Sequence, residues 1–208
     1  MWKQIILLTA SAWAAAGCAT SYRVHVNGYT ERTEPIARGA ALYVGTDPNA
    51  PNPIFQKQIK DRAEALLRDY GYTIATAPAG ADYRATFQVG MKAETVMGHT
   101  PAYRPHFGAR GGYPDAFLFG YSTYTPYLDT SYDQWLVLKL FQAGSPATAA
   151  PNPVWIGEAL LSTDRAELRQ TVDYLLIGCI EYLGVDTGRQ VTVKIRNDDP
   201  RLGDLGDR

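Results

Sequence analysis

The chain has 208 residues, 46% hydrophobic and 20% charged, which suits one globular domain with a real core and leaves little room for a second. Its 20 Lys and Arg stand against 21 Asp and Glu, a formal charge of -1 with no basic cluster, so a nucleic-acid-binding surface is not expected. Two cysteines, Cys18 and Cys179, exclude a disulfide framework and a cysteine-based metal centre.

The chain opens on Lys3, an apolar run over residues 5–16 that is short for a bilayer span, and the small residues Ala15, Ala16 and Gly17. With Cys18 next, this stretch resembles the bacterial lipoprotein signal, although Ala15 stands where Leu, Val or Ile is usual. The resemblance implies cleavage before Cys18, lipidation of its sulfur and a lipid-anchored mature protein. Ala19, which is not Asp, is similar to the sorting preference for the outer membrane, facing the periplasm. The alternative is an ordinary cleaved leader and a plainly secreted protein with Cys18 unmodified. Removing residues 1–17 takes away Lys3 and no acid, leaving 19 basic against 21 acidic residues and a formal charge of -2. No second apolar stretch is long enough to cross a membrane, so membrane attachment is expected through the N-terminus alone.

Residues 18–39 are polar and mixed, with Asn27-Gly28 and Glu34-Pro35 as turn signals, and read as a tether. A single domain is expected over 40–196. It begins with a short strand at 41–44, then Asn52-Pro53 as a helix cap and first-turn proline. Phe55, Ile59, Ala63, Leu66, Leu67 and Tyr70 recur at helical spacing up to Gly71. A second strand at 72–75 and a turn at 78–80 follow. Tyr83, Ala85, Phe87, Val89, Met91 and Ala93 then alternate with Arg84, Thr86, Gln88, Lys92 and Glu94, the pattern of a strand with one face packed on helices.

Periodicity stops over 98–132. This segment holds five glycines, four prolines and six of the fourteen tyrosines: Tyr103, Tyr113, Tyr121, Tyr124, Tyr127 and Tyr132. It reads as a Gly/Tyr-rich insertion outside the core. Strands resume at 135–141 and 154–161, joined by a long loop as a hairpin. Asp164 and Glu167 suggest a capping box for a helix striped by Leu168, Val172, Leu175, Leu176, Cys179 and Leu183 and stopped by Gly184. Val191, Val193 and Ile195 predict a last strand, and 197–208 a frayed polar tail. The two helices carry one apolar stripe each and cannot cover a sheet on both faces. The expected fold is therefore α/β, a two-layer sandwich of a mixed β-sheet with both helices on one face.

The helix end from Leu67 to Gly71-Tyr72, the strand start Gly80-Ala81-Asp82-Tyr83, the insertion 98–132 and the strand Val154-Trp155-Ile156-Gly157-Glu158-Ala159 together resemble a family of bacterial lipoproteins of the DUF4136 type. The order and spacing agree over 52–183; the strand before Val154 ends Leu140-Phe141-Gln142-Ala143 without the Asp usual in that turn, and 19–50 shows little likeness. The layout is also similar to the N-terminal domain of the TolB translocation protein, an interaction module. The family implies no catalytic residues.

The chemistry-bearing residues point the same way. His99 and His106, with Asp115 nearby, sit in the insertion without a rigid element to complete a coordination shell, so no metal site or cofactor is expected; His25 falls in the tether. Ser145 and Ser162 lack a neighbouring histidine, no Gly-x-Ser-x-Gly turn occurs, and Cys179 falls on an apolar helix stripe. Gly108-Ala109-Arg110-Gly111-Gly112 lacks the strand, helix and lysine of a phosphate loop. Tyrosines on a loop offer flat rings with a polar edge, suited to a protein surface or a sugar ring, against the alternative of a self-packed loop covering the sheet. The expected function is a non-enzymatic, membrane-anchored envelope module that binds a protein or cell-wall partner through this segment. An envelope hydrolase of unrecognised type and a purely structural assembly subunit are the alternatives.

Overall fold

The computed structural model describes residues 20–47, 49–105, 120–143 and 152–206, and at 98–105 and 120–126 it describes the backbone path. Seven strands form one mixed sheet in the order β3-β2-β4-β5-β6-β1-β7. In chain order these are β1 (Ser21–Tyr29), β2 (Ala41–Gly45), β3 (Thr73–Ile74), β4 (Tyr83–Pro105), β5 (Gly120–Gln142), β6 (Trp155–Thr163) and β7 (Val191–Arg196). The helices are α1 (Pro53–Asp69), α2 (Leu168–Glu181) and α3 (Pro200–Gly206). β2 pairs in parallel with β3 and β4, and every other pairing is antiparallel. This is the expected α/β sandwich with a mixed sheet, enlarged by one strand inserted between β6 and the edge strand β7 and by one helix after β7.

α1 forms where the cap and the apolar spacing placed it. Asn52 accepts a hydrogen bond from the Phe55 amide at 3.0 Å, Pro53 fills the first turn, and Ile59, Ala63, Leu66 and Leu67 are buried. The chain leaves the helix through Gly71, whose φ of 87° is the left-handed conformation that glycine adopts without steric cost. α2 buries Val172, Leu175, Leu176 and Cys179, and Tyr174 stacks against Tyr22 of β1 with ring centroids 4.5 Å apart. Arg62 of α1 donates to Asp173 of α2 at 2.9 Å, a half-buried ion pair between the helices. Burial holds the Asp173 carboxyl above its usual range even though Arg62 opposes that shift.

The start of α2 departs from the capping-box expectation. The helix begins at Leu168, Glu167 occupies the cap position, and no side-chain bond closes it. The sheet supplies the fastening instead: Gln134 of β5, fully buried, donates to the Arg165 carbonyl at 2.8 Å and accepts from the Thr171 hydroxyl. A buried amide satisfied on both sides fixes the turn more firmly than an exposed carboxylate.

The larger departure is β1. Residues 21–29 are not part of a tether: they form a strand between β6 and β7, with Val24 and Val26 fully buried. Gly28 carries no turn here. It pairs with Gly157 of β6, on the face covered by the helices. A Cβ on Gly28 would lie 2.4 Å from the Val185 carbonyl oxygen, and a Cβ on Gly157 would lie 2.1 Å from the Trp155 ring and 2.7 Å from the Cys179 Sγ. The paired glycines leave a slot, and the indole of Trp155 fills it, fully buried, donating to the Val185 carbonyl at 3.0 Å. The Trp-x-Gly spacing of β6 thus has a packing cause: residues two apart share a face, so the second must give way to the ring of the first.

The C-terminal segment, expected to fray, closes onto the helices. Arg201 of α3 grips Asp199 with two hydrogen bonds of 2.9 and 2.8 Å, donates to the Tyr70 hydroxyl at 2.8 Å, and Leu205 is buried.

Two outcomes are expected from this packing. Gly157→Ala costs about 1–3 kcal/mol by overpacking the Trp155 slot, read by urea denaturation, and combining it with Trp155→Ala gives a loss smaller than the sum of the two. The bonds from Arg201 hold the Asp199 carboxyl below its usual range. The stability it contributes is therefore present above its unfolded value, near pH 4, and is lost as the pH falls through the lower folded value. Hydrogen exchange over 199–205 should stay protected from neutral pH down to about 4 and lose that protection below, whereas Arg201→Ala should lose it at neutral pH.

Candidate interaction site

The segment 98–132 was expected to interrupt the sheet; the structure continues both flanking strands into it. β4 and β5 are 23 residues each and pair without a break from Tyr83↔Gln142 to Pro105↔Gly120. β6 accompanies β5 only as far as Tyr132↔Thr163, and β2 accompanies β4 only to Thr86. Beyond the row Ala93↔Tyr132 the two strands run on as a two-stranded ribbon of twelve residue pairs, 94–105 with 120–131. At about 3.4 Å per residue this arm is about 40 Å long.

Of the six expected contact tyrosines, Tyr113 lies outside the described residues. Tyr103, Tyr121 and Tyr124 are on the arm, opposite Ser122, Arg104 and Pro101. Tyr127 is opposite Gly98 and 48% exposed. Tyr132 is half-buried at the row where the arm leaves the sheet. Alongside them stand three residues that the sequence reading left out: Val96, Met97 and Leu128, exposed by 55%, 62% and 71%. With Tyr127 they make up half of the eight large hydrophobic side chains exposed among the described residues, so the exposed apolar surface gathers on the inner arm.

The prolines reveal how the arm is built. Pro101, Pro105 and Pro126 lie on the rows 101↔124, 105↔120 and 99↔126, which are alternate rows of one ladder. A residue without an N–H fits only where the amide would point away from the partner strand. In an antiparallel ladder those are the rows without direct hydrogen bonds, and on them facing side chains stand closest. Rows 95↔130 and 97↔128 belong to the same set. Thr95 and Thr130 accordingly bring their hydroxyls within 3.3 Å of each other, and Met97 and Leu128 form a directly facing apolar pair.

The arm also has a defined place relative to the chain start. Ala93 of β4 pairs with Tyr132 of β5 and Tyr132 with Thr163 of β6, while β1 pairs with β6 as far as His25↔Leu160 and continues along β7 to Ser21↔Arg196. The arm therefore departs from the end of the sheet at which β1 begins. Cys18 itself lies outside the described residues.

Other candidate chemistry is scattered. Cys179 is fully buried, and desolvation pushes its thiol well above the ordinary range, away from the reactive thiolate. His25 is on β1, not in a tether, and its Nδ1 lies 3.1 Å from the Thr192 hydroxyl. His99 is on the arm opposite Pro126, and His106 and Asp115 lie outside the described residues. Among the described residues no three His, Cys, Asp or Glu side chains gather as a metal site. A depression of about 340 Å³ at the opposite end of the sheet is lined by Tyr29, Thr30, Glu31, Asn152, Ile156 and Asp186. Beside it the exposed Glu158 accepts from the Tyr29 hydroxyl at 3.2 Å, and partial desolvation together with that carboxylate raises the Tyr29 phenol above its usual range. Glu31 and Asp186 are the carboxylates among its lining residues. A second, of about 330 Å³, lies on the uncovered sheet face around Arg84, Gln88, Lys139 and Phe141.

No protein-family model and no curated protein matches the chain. Among solved structures, it is similar to a PelC dodecamer from Paraburkholderia phytofirmans (14% identity, 78% of this chain and 99% of that one, TM-score 0.44). It is similar to a PDZ domain protein from Parabacteroides distasonis (14% identity, 90% and 42%, TM-score 0.45). It is also similar to a DUF4136 family protein from Bacteroides thetaiotaomicron (13% identity, 75% and 93%, TM-score 0.42). The likeness to the DUF4136 type is one of fold.

Because Met97 and Leu128 are exposed, replacing either one with Thr should leave the urea-denaturation stability within about 1 kcal/mol of the parent. A loss of several kcal/mol would show that the arm is packed against the domain.

Proposed function

We propose that the protein is a lipid-anchored module of the bacterial cell envelope, held at the outer membrane through Cys18, and that it binds or scaffolds an envelope partner, protein or cell wall, through the β4–β5 arm. The observation that carries this reading is the arm: twelve paired rows beyond any third strand, with Val96, Met97, Tyr127 and Leu128 exposed. Ordering so much chain outside the core costs conformational entropy that the arm's own contacts return only in part, which favours a role in contact over one in stability. Contact through side chains suits the ribbon better than strand addition, because prolines on both strands remove edge donors. The same reading makes the protein non-catalytic.

Two measurements test it. Cys18→Ser should move the protein from the detergent phase to the aqueous phase in phase partitioning; unchanged partitioning would remove the anchor from the account. Replacing 94–131 with a short turn should keep the domain folded and anchored while abolishing partners crosslinked in native membranes. Retention of the same partners would assign binding to another surface.

A further inference from the structure

We infer that the sheet face turned away from the helices binds an acidic oligosaccharide, a chain of uronate-type sugars, with Arg84 and Lys139 holding carboxylates and Trp135 stacking on a sugar ring. This goes beyond the function proposed above and rests on neither its anchor nor its arm.

Strand alternation builds the face. Leu136, Leu138 and Leu140 of β5 are buried under the helices, so Trp135, Val137, Lys139 and Phe141 point the other way. The registers place Arg84 and Lys92 of β4, Arg23 of β1 and Lys194 of β7 on the same side. Together with Lys139 these are five basic residues from four strands, and none is in an ion pair among the described residues. A sixth, Arg196, is neutralised by Asp198 at 2.7 Å. The acidic residues of these rows are Asp133 and Glu158, which accept hydroxyl bonds from Ser162 at 2.6 Å and Tyr29 at 3.2 Å. Five against two leaves +3 on this face, in a chain whose formal charge is -1. Only the pairing of distant strands gathers that charge.

Two features turn the charge into a site. First, the depression of about 330 Å³ is lined by Arg84, Gln88, Lys139 and Phe141, and also by Asp47. Arg84 and Lys139 are diagonal neighbours on rows 84↔141 and 86↔139, about 7 Å apart, so one carboxylate can sit between them. The Arg84 guanidinium lies over the Phe141 ring, 5.7 Å from its centroid, which holds it in place. Second, Trp135 lies across Gly90, where a Cβ would collide with the indole. The half-buried ring therefore rests one face on the sheet and turns the other outward, a surface suited to the C–H face of a sugar. Trp135 and Lys139 are four residues apart on one side of β5, about 14 Å, and the amides of Gln88 and Asn27 stand alongside for hydroxyl groups.

The combination selects among anions. A single phosphate would engage Arg84 and Lys139 and leave Trp135 idle. A nucleic-acid strand calls for successive stacking rings along a charged groove, whereas of the two rings on β5 here Phe141 is taken by Arg84 and only Trp135 is open. A uronate chain brings carboxylates, C–H faces and hydroxyls together.

The test titrates the full-length protein with oligogalacturonate, and with a neutral gluco-oligosaccharide of the same length, by calorimetry and by the indole resonances of the tryptophans. The proposal expects the acidic chain alone to bind and to shift the Trp135 resonance while leaving that of the buried Trp155 in place. Affinity should fall about tenfold or more with Arg84→Gln and with Lys139→Gln. It should be unchanged in Lys57→Gln, on the exposed side of α1, and after replacement of 94–131 by a short turn. No binding, equal binding of the neutral chain, or an equal loss from Lys57→Gln overturns the proposal. Saturation by inorganic phosphate with no gain from the sugar chain makes this a small-anion site instead. Preference for a single-stranded oligonucleotide, with the same dependence on Arg84 and Lys139, overturns the sugar assignment in favour of nucleic acid.

Discussion

The slot for Trp155 fixes more than its own neighbourhood. The indole sits over Gly157 and beside Gly28, with its N–H on the Val185 carbonyl, and only glycine at both positions leaves room for it. Sliding β1 by one residue along β6 would turn Val24 and Val26 out of the core; sliding it by two would bring Val26 or Thr30 into the slot. The register of β1 is thereby set by a single buried ring. From that register it follows that β1 begins at the end of the sheet from which the arm departs.

Much of the fold was legible because one face of the sheet is buried. Alternation in β4 up to Ala93, the stripes of α1 and α2, the glycine after α1 and the β5–β6 hairpin all carry the signature of contact with the core. The outer arm carries no such signature: no third strand pairs with it among the described residues, and its glycines and prolines lower strand propensity while leaving the ladder intact. β1 was missed for a different reason. Gly28, needed for the indole of a residue more than a hundred positions away, looks in sequence like half of an Asn-Gly turn. α3 was missed because its hold is polar: Arg201 on Asp199 and Tyr70 leaves no periodic apolar pattern.

The candidate site shows the same division. The tyrosines stood out by composition, but which of them share the inner arm, and that Val96, Met97 and Leu128 stand with Tyr127, depends on pairing between positions some thirty residues apart. Apolar residues beside a biased segment were the one available signal, and without the ladder they had no common surface. Loss of the tether has the greater consequence. A flexible spacer would leave the domain free to face any direction, whereas a strand beginning at Ser21 fixes the end of the sheet at which the residues before it join the domain.

The central claim is therefore that one buried ring sets the register of β1 in the sheet. Cross-strand nuclear Overhauser contacts between β1 and β6 measure this directly. The account predicts Gly28 against Gly157 and Val26 against Ala159 in the parent protein, and loss or displacement of those contacts in Trp155→Ala. The same contacts kept unchanged in Trp155→Ala would contradict it.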